Sequence, residues 1–371
     1  MQRLLLVLVL SLWATACVAR STPEHRWADW QAFSQAFVDE QGRVIDWTAE
    51  GRTVSEGQGY ALFFALVAND RERFARILNW TERNLSRGDL ATQLPAWHWG
   101  KRADGSWGVI DANAASDADL WIAYALLEAG RLWQMPRYRD LGRALLTRVR
   151  ALEVVAAQRR LLLLPGPIGF VDGDSVRINP SYYVPAQFLR FHAEQPQAGW
   201  LQLLDDFVTL LPEAAPLGRA PDWAQWNGEK LGVDPQTQGV GSYDAIRVYL
   251  WAAFGPEGNA QTLAMRAALK PFAAMIQELG RVPERWSVGN SGISGDAPPG
   301  FHAALLSFLR QSGYVAEARR SELALAAVYA DGLYGRPARY YDHVLILFGK
   351  GYAEGRFRFD AQGRLIPTWK R

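Results

Sequence analysis

Three acidic residues have a setting in which a carboxylate could do chemistry. Glu56 follows Ser55 and precedes the apolar run Tyr60, Leu62, Phe63, Phe64, Leu66 and Val67. Asp117 follows Ser116 and precedes Leu120, Ile122, Ala123, Ala125, Leu126, Leu127 and Ala129. Asp244 lies two residues after Ser242 and precedes Val248, Tyr249, Leu250, Trp251 and Phe254. In each stretch the serine sits where a helix N-cap belongs. The acid then falls in the first turn, where free N–H groups and the helix dipole favour negative charge. Gln58 and Asp119, three residues after their serines, complete a capping box and a variant of it. Alone, each acid reads as a capping residue. Three of them on helices too apolar to lie at a surface read as carboxylates held at the mouths of interior helices, a setting for general acid–base work.

The elements that must position them recur along the chain. Asn179-Pro180-Ser181-Tyr182-Tyr183 starts another apolar helix, to His192, and two more begin near Phe301 and at Tyr340-Tyr341-Asp342. The starts fall near residues 56, 117, 181, 243, 301 and 341, most of them about sixty apart. An amphipathic helix lies between each pair, and one precedes the first, with Trp27, Trp30, Phe33 and Phe37 on one stripe. Asp70 caps the second of these and Pro136 opens the third. Such periodicity signals a repeat architecture. The set closes as an all-α (α/α)6 barrel, six inner helices ringed by six outer ones, with small β-hairpin insertions in the loops. The long connections, including an irregular stretch through Trp97 and Trp107, precede inner helices. They therefore gather at one end, with the acids. Residues 20–371 read as a single catalytic domain.

Composition narrows the chemistry. The 371-residue chain has a net charge of +2 and no basic tract, which argues against a nucleic-acid partner. Met1 to about Ala19 looks like a secretory signal: Arg3, then Leu4 to Trp13, then small residues. Ala14-Thr15-Ala16 fits a cleavage site. Cys17 then belongs to the removed peptide or is the acylated first residue of a lipoprotein. No second cysteine is available for a disulfide. The 16 Trp are unusual, and in a non-basic secreted protein flat rings suggest stacking on pyranose faces. The five His are scattered without H-E-x-x-H, so no metal site is expected. There is no P-loop and no G-x-S-x-G, and Gly239-Val240-Gly241 lacks the context of a dinucleotide fingerprint.

Acids and rings at one end of a barrel suit hydrolysis of a glycosidic bond. That reaction needs a proton donor for the leaving oxygen and a carboxylate on the other side of the sugar. The donor must stay protonated near neutrality, whereas a helix N-terminus favours charged Glu56. The assignment requires burial and neighbouring acids, Asp117 and Asp119, to outweigh the dipole.

Ala115-Ser116-Asp117-Ala118-Asp119, with Ile122-Ala123, Ala125-Leu126-Leu127, Ala129 and Trp133, resembles the motif of glycoside hydrolase family 8. Ser55-Glu56-Gly57-Gln58-Gly59-Tyr60 resembles the segment bearing that family's general acid. Ser242-Tyr243-Asp244-Ala245-Ile246-Arg247 resembles the segment bearing its general base. Asn179-Pro180-Ser181-Tyr182 and Trp97-His98-Trp99 are also similar. The likeness covers most of the chain and implies an (α/α)6 barrel without a cofactor. It implies endo-acting, inverting hydrolysis of β-1,4-glucan, with Glu56 as acid, Asp244 as base and Asp117 holding the distorted sugar. Tyr243 and Arg247 would flank the base, Arg247 orienting a carboxylate from one turn on. Trp97, Trp107, Tyr182, Trp223 and Trp226 are candidate sugar platforms, loop packing being the alternative for each. Asp119 is expected as a cap that supports the reacting acids without reacting itself, and Asp342 in a structural role. The resemblance further implies a monomer in the periplasm or outside the cell, trimming cellulose during bacterial cellulose synthesis and associated with the synthase and export machinery. Xylan, chitosan or mixed-linkage glucan are alternative substrates, and a glucan-binding scaffold of low turnover is the alternative function.

Overall fold

The computed structural model describes residues 27–289 and 292–370. Among these, twelve α-helices alternate between two layers. The outer layer holds α1 (Ala28–Phe37), α3 (Arg71–Leu85), α5 (Pro136–Leu152), α7 (Trp200–Ala214), α9 (Ala260–Leu279) and α11 (Val315–Ala327). The inner layer holds α2 (Ser55–Val67), α4 (Ser116–Leu132), α6 (Pro185–Glu194), α8 (Ile246–Ala252), α10 (Pro299–Gln311) and α12 (Tyr340–Ala353). This is the (α/α)6 barrel. The layers follow from side-chain pattern. Nearly every residue of α2 and α4 is buried, whereas α3 and α5 bury single stripes such as Phe74, Ile77, Leu78 and Leu85. The axis is packed with rings, not open. Trp121 lies 4.9 Å from Phe63, 4.8 Å from Phe348 and 5.5 Å from Trp251 between ring centroids.

Two glycines let α2 come close to its neighbours. A Cβ on Gly59 would lie 3.1 Å from Ala118 O and 3.2 Å from Trp121 Cβ, and one on Gly57 would lie 2.7 Å from Tyr340 Oη. Glycine inside a helix costs about 0.5–1 kcal/mol relative to alanine. Here that cost is the condition for bringing Glu56 against α4 and α12.

Inner helices pass to outer ones through short turns. Asp70 caps α3 by accepting from Arg73 N, and Pro136 is the first residue of α5, as expected. Outer helices pass to inner ones through long segments that carry antiparallel strands. Thr53–Val54, His98–Lys101 and Trp107–Asp111 form a three-stranded sheet in which Trp99 faces Thr53 on one side and Val109 on the other. The Trp97 to Trp107 stretch is thus a hairpin rather than irregular, turned at Gly105 with φ 84°.

The serines do not cap. α2 and α4 begin at Ser55 and Ser116 themselves, and neither Val54 nor Ala115 caps through a side chain. The buried hydroxyls instead fasten loops to the barrel rim: Ser116 Oγ donates to Leu164 O (2.6 Å) and Ser242 Oγ to Glu284 O (2.9 Å). Gln58 closes no capping box. It accepts from Val44 N (2.7 Å) and donates to Thr81 Oγ1 (2.9 Å), tying α2 to α3. Tyr182 lies in a 3-10 turn, Pro180–Tyr182, ahead of α6. Pro185 forces Val184 into an extended conformation and separates the two. α8 begins at Ile246, so Asp244 sits in the turn before it. The signal, cleavage and Cys17 readings fall outside the described residues. Among the described residues no helix is long and apolar enough to cross a membrane.

Candidate active site

The N-terminal ends of α2 and α12 and the turn before α8 meet at a cleft of about 380 Å³. Glu56, Tyr60, Trp97, Tyr243, Asp244 and Arg247 all line it. Arg247 organises the acids. Its Nη1 donates to Asp117 Oδ2 (2.8 Å) and to Tyr60 Oη (2.5 Å), and its Nη2 donates to Asp244 Oδ1 (2.7 Å). One guanidinium fork therefore bridges two carboxylates from segments far apart in the chain. Tyr60 Oη donates to Asp117 Oδ2 (3.2 Å), and Ala118 N donates to Asp117 Oδ1 (2.8 Å). Asp117 is buried behind the cleft wall, while Asp244 keeps 34 % of its side chain exposed.

Glu56 differs from both. Its carboxyl accepts a long hydrogen bond from Ser55 Oγ (3.4 Å) and one from its own backbone N–H, and among the described residues it forms no ion pair. Burial, and after it the charge of Asp117, pushes its carboxyl up to about 8. Its own backbone N–H and Arg247 pull the other way and lose. The opposition between dipole and desolvation is thus decided for the protonated acid, and Asp117 is the neighbour that acts on it most.

Asp119 is not the expected cap. It is fully buried, and its carboxyl hydrogen-bonds to another carboxyl, that of Glu153, rather than to a helix N–H. It faces Glu153, which is buried in the same way. Burial, then the charge of Asp117, holds Asp119 well above the usual carboxylate range; burial, then Asp119, does the same to Glu153. Asp342 accepts from Gly300 N (3.1 Å), which ties α12 to α10.

The aromatic candidates divide. Trp97 lines the cleft. Tyr243 does too, with its Oη donating to Glu284 Oε1 (3.1 Å). Tyr182 is buried, with the Arg247 guanidinium 5.6 Å from its ring centroid, so it supports Arg247 rather than offering a free face. Trp107 lies away from the cleft wall, 45 % exposed and stacked on Trp99 at 5.3 Å. Trp223 also lies outside it, parallel to Phe170 and with Arg177 Cζ 4.1 Å from its ring. Trp226 is a core residue, 4 % exposed. In the strand Ala224–Trp226 the alternation turns Ala224 and Trp226 inward together.

Three contributors were not singled out from the sequence, one of them Tyr341, which lines the cleft and donates from Oη to Tyr243 O (2.8 Å). Tyr60 stands one helical turn after Glu56 on the same face, a spacing that could have marked it. Asp222 has no such signal. It lies twenty residues before Ser242 and touches the Asp244 turn only through the fold.

Known proteins resemble this chain over most of its length. A model of the glycosyl hydrolases family 8 matches residues 4–355. An endoglucanase of Salmonella typhi is 43% identical over 349 residues, covering 92% of this chain and 91% of that protein. An endoglucanase of Xanthomonas axonopodis pv. citri (strain 306) is 40% identical over 365 residues, covering 98% and 94%. The crystal structure of an endo-1,4-D-glucanase from Vibrio fischeri ES114 matches with a TM-score of 0.85 at 38% identity, over 93% of this chain and 100% of that one. With fold and sequence in accord, this chain belongs to glycosyl hydrolase family 8.

Proposed function

We propose that this chain cuts internal β-1,4-glucosidic bonds of a glucan, cellulose first, with inversion at the anomeric carbon. Glu56, protonated at neutral pH, gives its proton to the leaving glycosidic oxygen. Asp244 takes a proton from a water on the opposite face of the sugar, and that water attacks the anomeric carbon. Asp117, held as an ion pair by Arg247, supplies negative charge beneath the ring as positive charge builds there. Trp97 offers a ring face at the cleft.

One observation carries the reading: two carboxyl groups on one cleft have opposite surroundings. Glu56 is pushed up to about 8, whereas Asp244 sits 2.7 Å from Arg247. Separated environments of this kind divide acid from base. The endoglucanase relatives support a β-glucan as substrate. The N-terminal segment, read as an export signal, supports a place in the periplasm or beyond. There a monomer would trim cellulose beside the synthase and export machinery. Intact mass of the mature protein separates a cut after Ala19 from lipid on Cys17.

The test is hydrolysis of cello-oligosaccharides followed by proton NMR. Inversion releases the α-anomer first, and β-anomer first overturns it. On carboxymethyl-cellulose, Glu56→Gln is expected to lose about 10²–10⁴-fold in rate. Wild-type rate in that variant rejects the acid assignment. Faster turnover of xylan, chitosan or mixed-linkage glucan moves the substrate, and glucan binding without cleavage by the wild type makes the protein a scaffold.

A further inference from the structure

The turn that carries Asp244 is held from outside its own segment. Asp222 Oδ1 accepts from the backbone N–H of Ser242 (2.8 Å), Asp244 (3.1 Å) and Ala245 (2.8 Å). These are donors of the turn that leads into α8, and a residue just before the helix would normally cap such groups. The backbone N–H of Asp222 donates to Val240 O (2.8 Å), so the two segments are clasped from both sides. The clasp has a firm base. Ala220 N donates to Tyr249 Oη (2.9 Å), and Trp286 Nε1 donates to Ala220 O (2.7 Å). Gly241 lets the segments approach: a Cβ there would lie 2.3 Å from Ala220 O.

We propose that Asp222 is a positioning residue for hydrolysis, fixing where the Asp244 carboxylate meets the attacking water and coupling its own charge to that base. The proposal rests on the reading of Asp244 as base. The clasp fixes the backbone at Asp244, and Arg247 holds its carboxylate. Asp222 does not itself reach the substrate cleft wall.

The second carboxyl also has an electrostatic consequence. Burial, then the charge of Asp244, pushes Asp222 up to about 6, against the three N–H groups that pull it down. The ionisable groups around it are Asp244, Tyr341 from α12, and Tyr249 from α8 with Arg219 beside it. Asp222 therefore takes up a proton as pH falls through about 6, and that step enters the acid limb of the rate.

Two substitutions test this, with Asp244→Asn alongside. Asp222→Ala removes the clasp and is expected to lower kcat about 10- to 100-fold with KM within about twofold. Asp222→Asn keeps an acceptor oxygen for the same N–H groups, so most of kcat returns. Its acid limb of kcat/KM moves to lower pH by about one unit, because the group that takes up a proton near 6 beside the base is gone. A merely structural aspartate would leave that limb in place. Wild-type kcat in Asp222→Ala, or an unmoved limb in Asp222→Asn, overturns the proposal. If Asp222→Ala does not fold, the limb of Asp222→Asn decides alone. If Asp244→Asn keeps its rate, the base assignment fails first. If Asp244→Asn is inactive while Asp222→Asn keeps the wild-type limb, only the role of Asp222 fails.

Discussion

The barrel buries acids at both ends and treats them oppositely. At the C-terminal ends of α4 and α6, Glu128 meets Arg190 (2.6 Å) and Arg131 (2.5 Å), and its Oε2 also accepts from Leu365 N (2.8 Å). Glu194 meets Arg190 (2.9 Å), Arg139 (2.9 Å) and Arg143 (3.2 Å). Burial would raise Glu194, but the hydrogen bonds from Arg139 and Arg190 hold it below the usual carboxylate range. At the N-terminal ends, about 16 Å along α4 by helix rise, Glu56, Asp117 and Asp244 gather around Arg247, with Asp119 and Glu153 next to Asp117 and Asp222 next to Asp244. There Glu56 stands at about 8 and Asp222 at about 6. The same residue types are a structural clamp where cations outnumber them, and a store of protons where they do not. A neutralised cluster stabilises; an under-neutralised one is available for proton transfer.

Exchanging the central arginines should break the contrast most sharply. Arg190→Met leaves Glu128 and Glu194 short of a buried partner and is expected to cost about 3–5 kcal/mol of stability. The folded enzyme should keep its kcat. Arg247→Met should do the reverse, lowering kcat by about 10²-fold or more with a smaller stability loss. Asp117 is already raised by burial and can take up a proton when its cation is gone. Urea melts and initial rates on the same preparations decide. Equal stability losses in the two variants would erase the distinction between the ends.

A smaller effect sharpens the upper cluster. Removing the charge of Asp117 makes ionised Glu56 easier to form, so Asp117→Asn should move the basic limb of kcat downward from about 8. The expected shift is about one pH unit, beneath whatever rate the variant loses. A basic limb that stays in place would mean that burial alone keeps Glu56 protonated.

What the sequence could tell follows the range of each interaction. Helices buried all round, such as α2 and α4, and striped ones, such as α3, differ in local pattern, so the two layers and their order were legible. Glu56, Asp117 and Asp244 were legible as acids near helix starts, and the fold brings them together around Arg247. The serine caps were misread because a hydroxyl at a buried rim can bind any nearby carbonyl. Leu164 O and Glu284 O lie 48 and 42 residues from the serines they engage. Asp222 and Glu153 carry no local pattern, since their partners are set by the closure of the barrel. Trp226 and Trp97 look alike as letters. Only the strand alternation at Ala224–Trp226 against the cleft position of Trp97 separates core from wall.

The smallest expected effect concerns Asp119 and Glu153, which belong to the upper cluster without lining its cleft. In the folded chain both carboxyls are held well above the usual range, first by burial. They keep protons that the unfolded chain releases once pH passes the ordinary carboxylate range. Their contribution to stability is full below that range and is lost as pH rises through their folded values. Glu194 has the opposite sign: its contribution is present at neutral pH and is lost as pH falls through its depressed folded value. Asp119→Asn removes one of the two titrating groups while leaving an amide that can donate to Glu153. Its stability should decline less on the alkaline side, gaining on the order of 1 kcal/mol over wild type at pH 9. The two proteins should lose stability together on the acid side, where Glu194 governs. Thermal melts across pH 4–10 measure both limbs. Parallel curves on the alkaline side would mean that Asp119 and Glu153 are already satisfied within the fold and do not belong with the proton-holding acids above them.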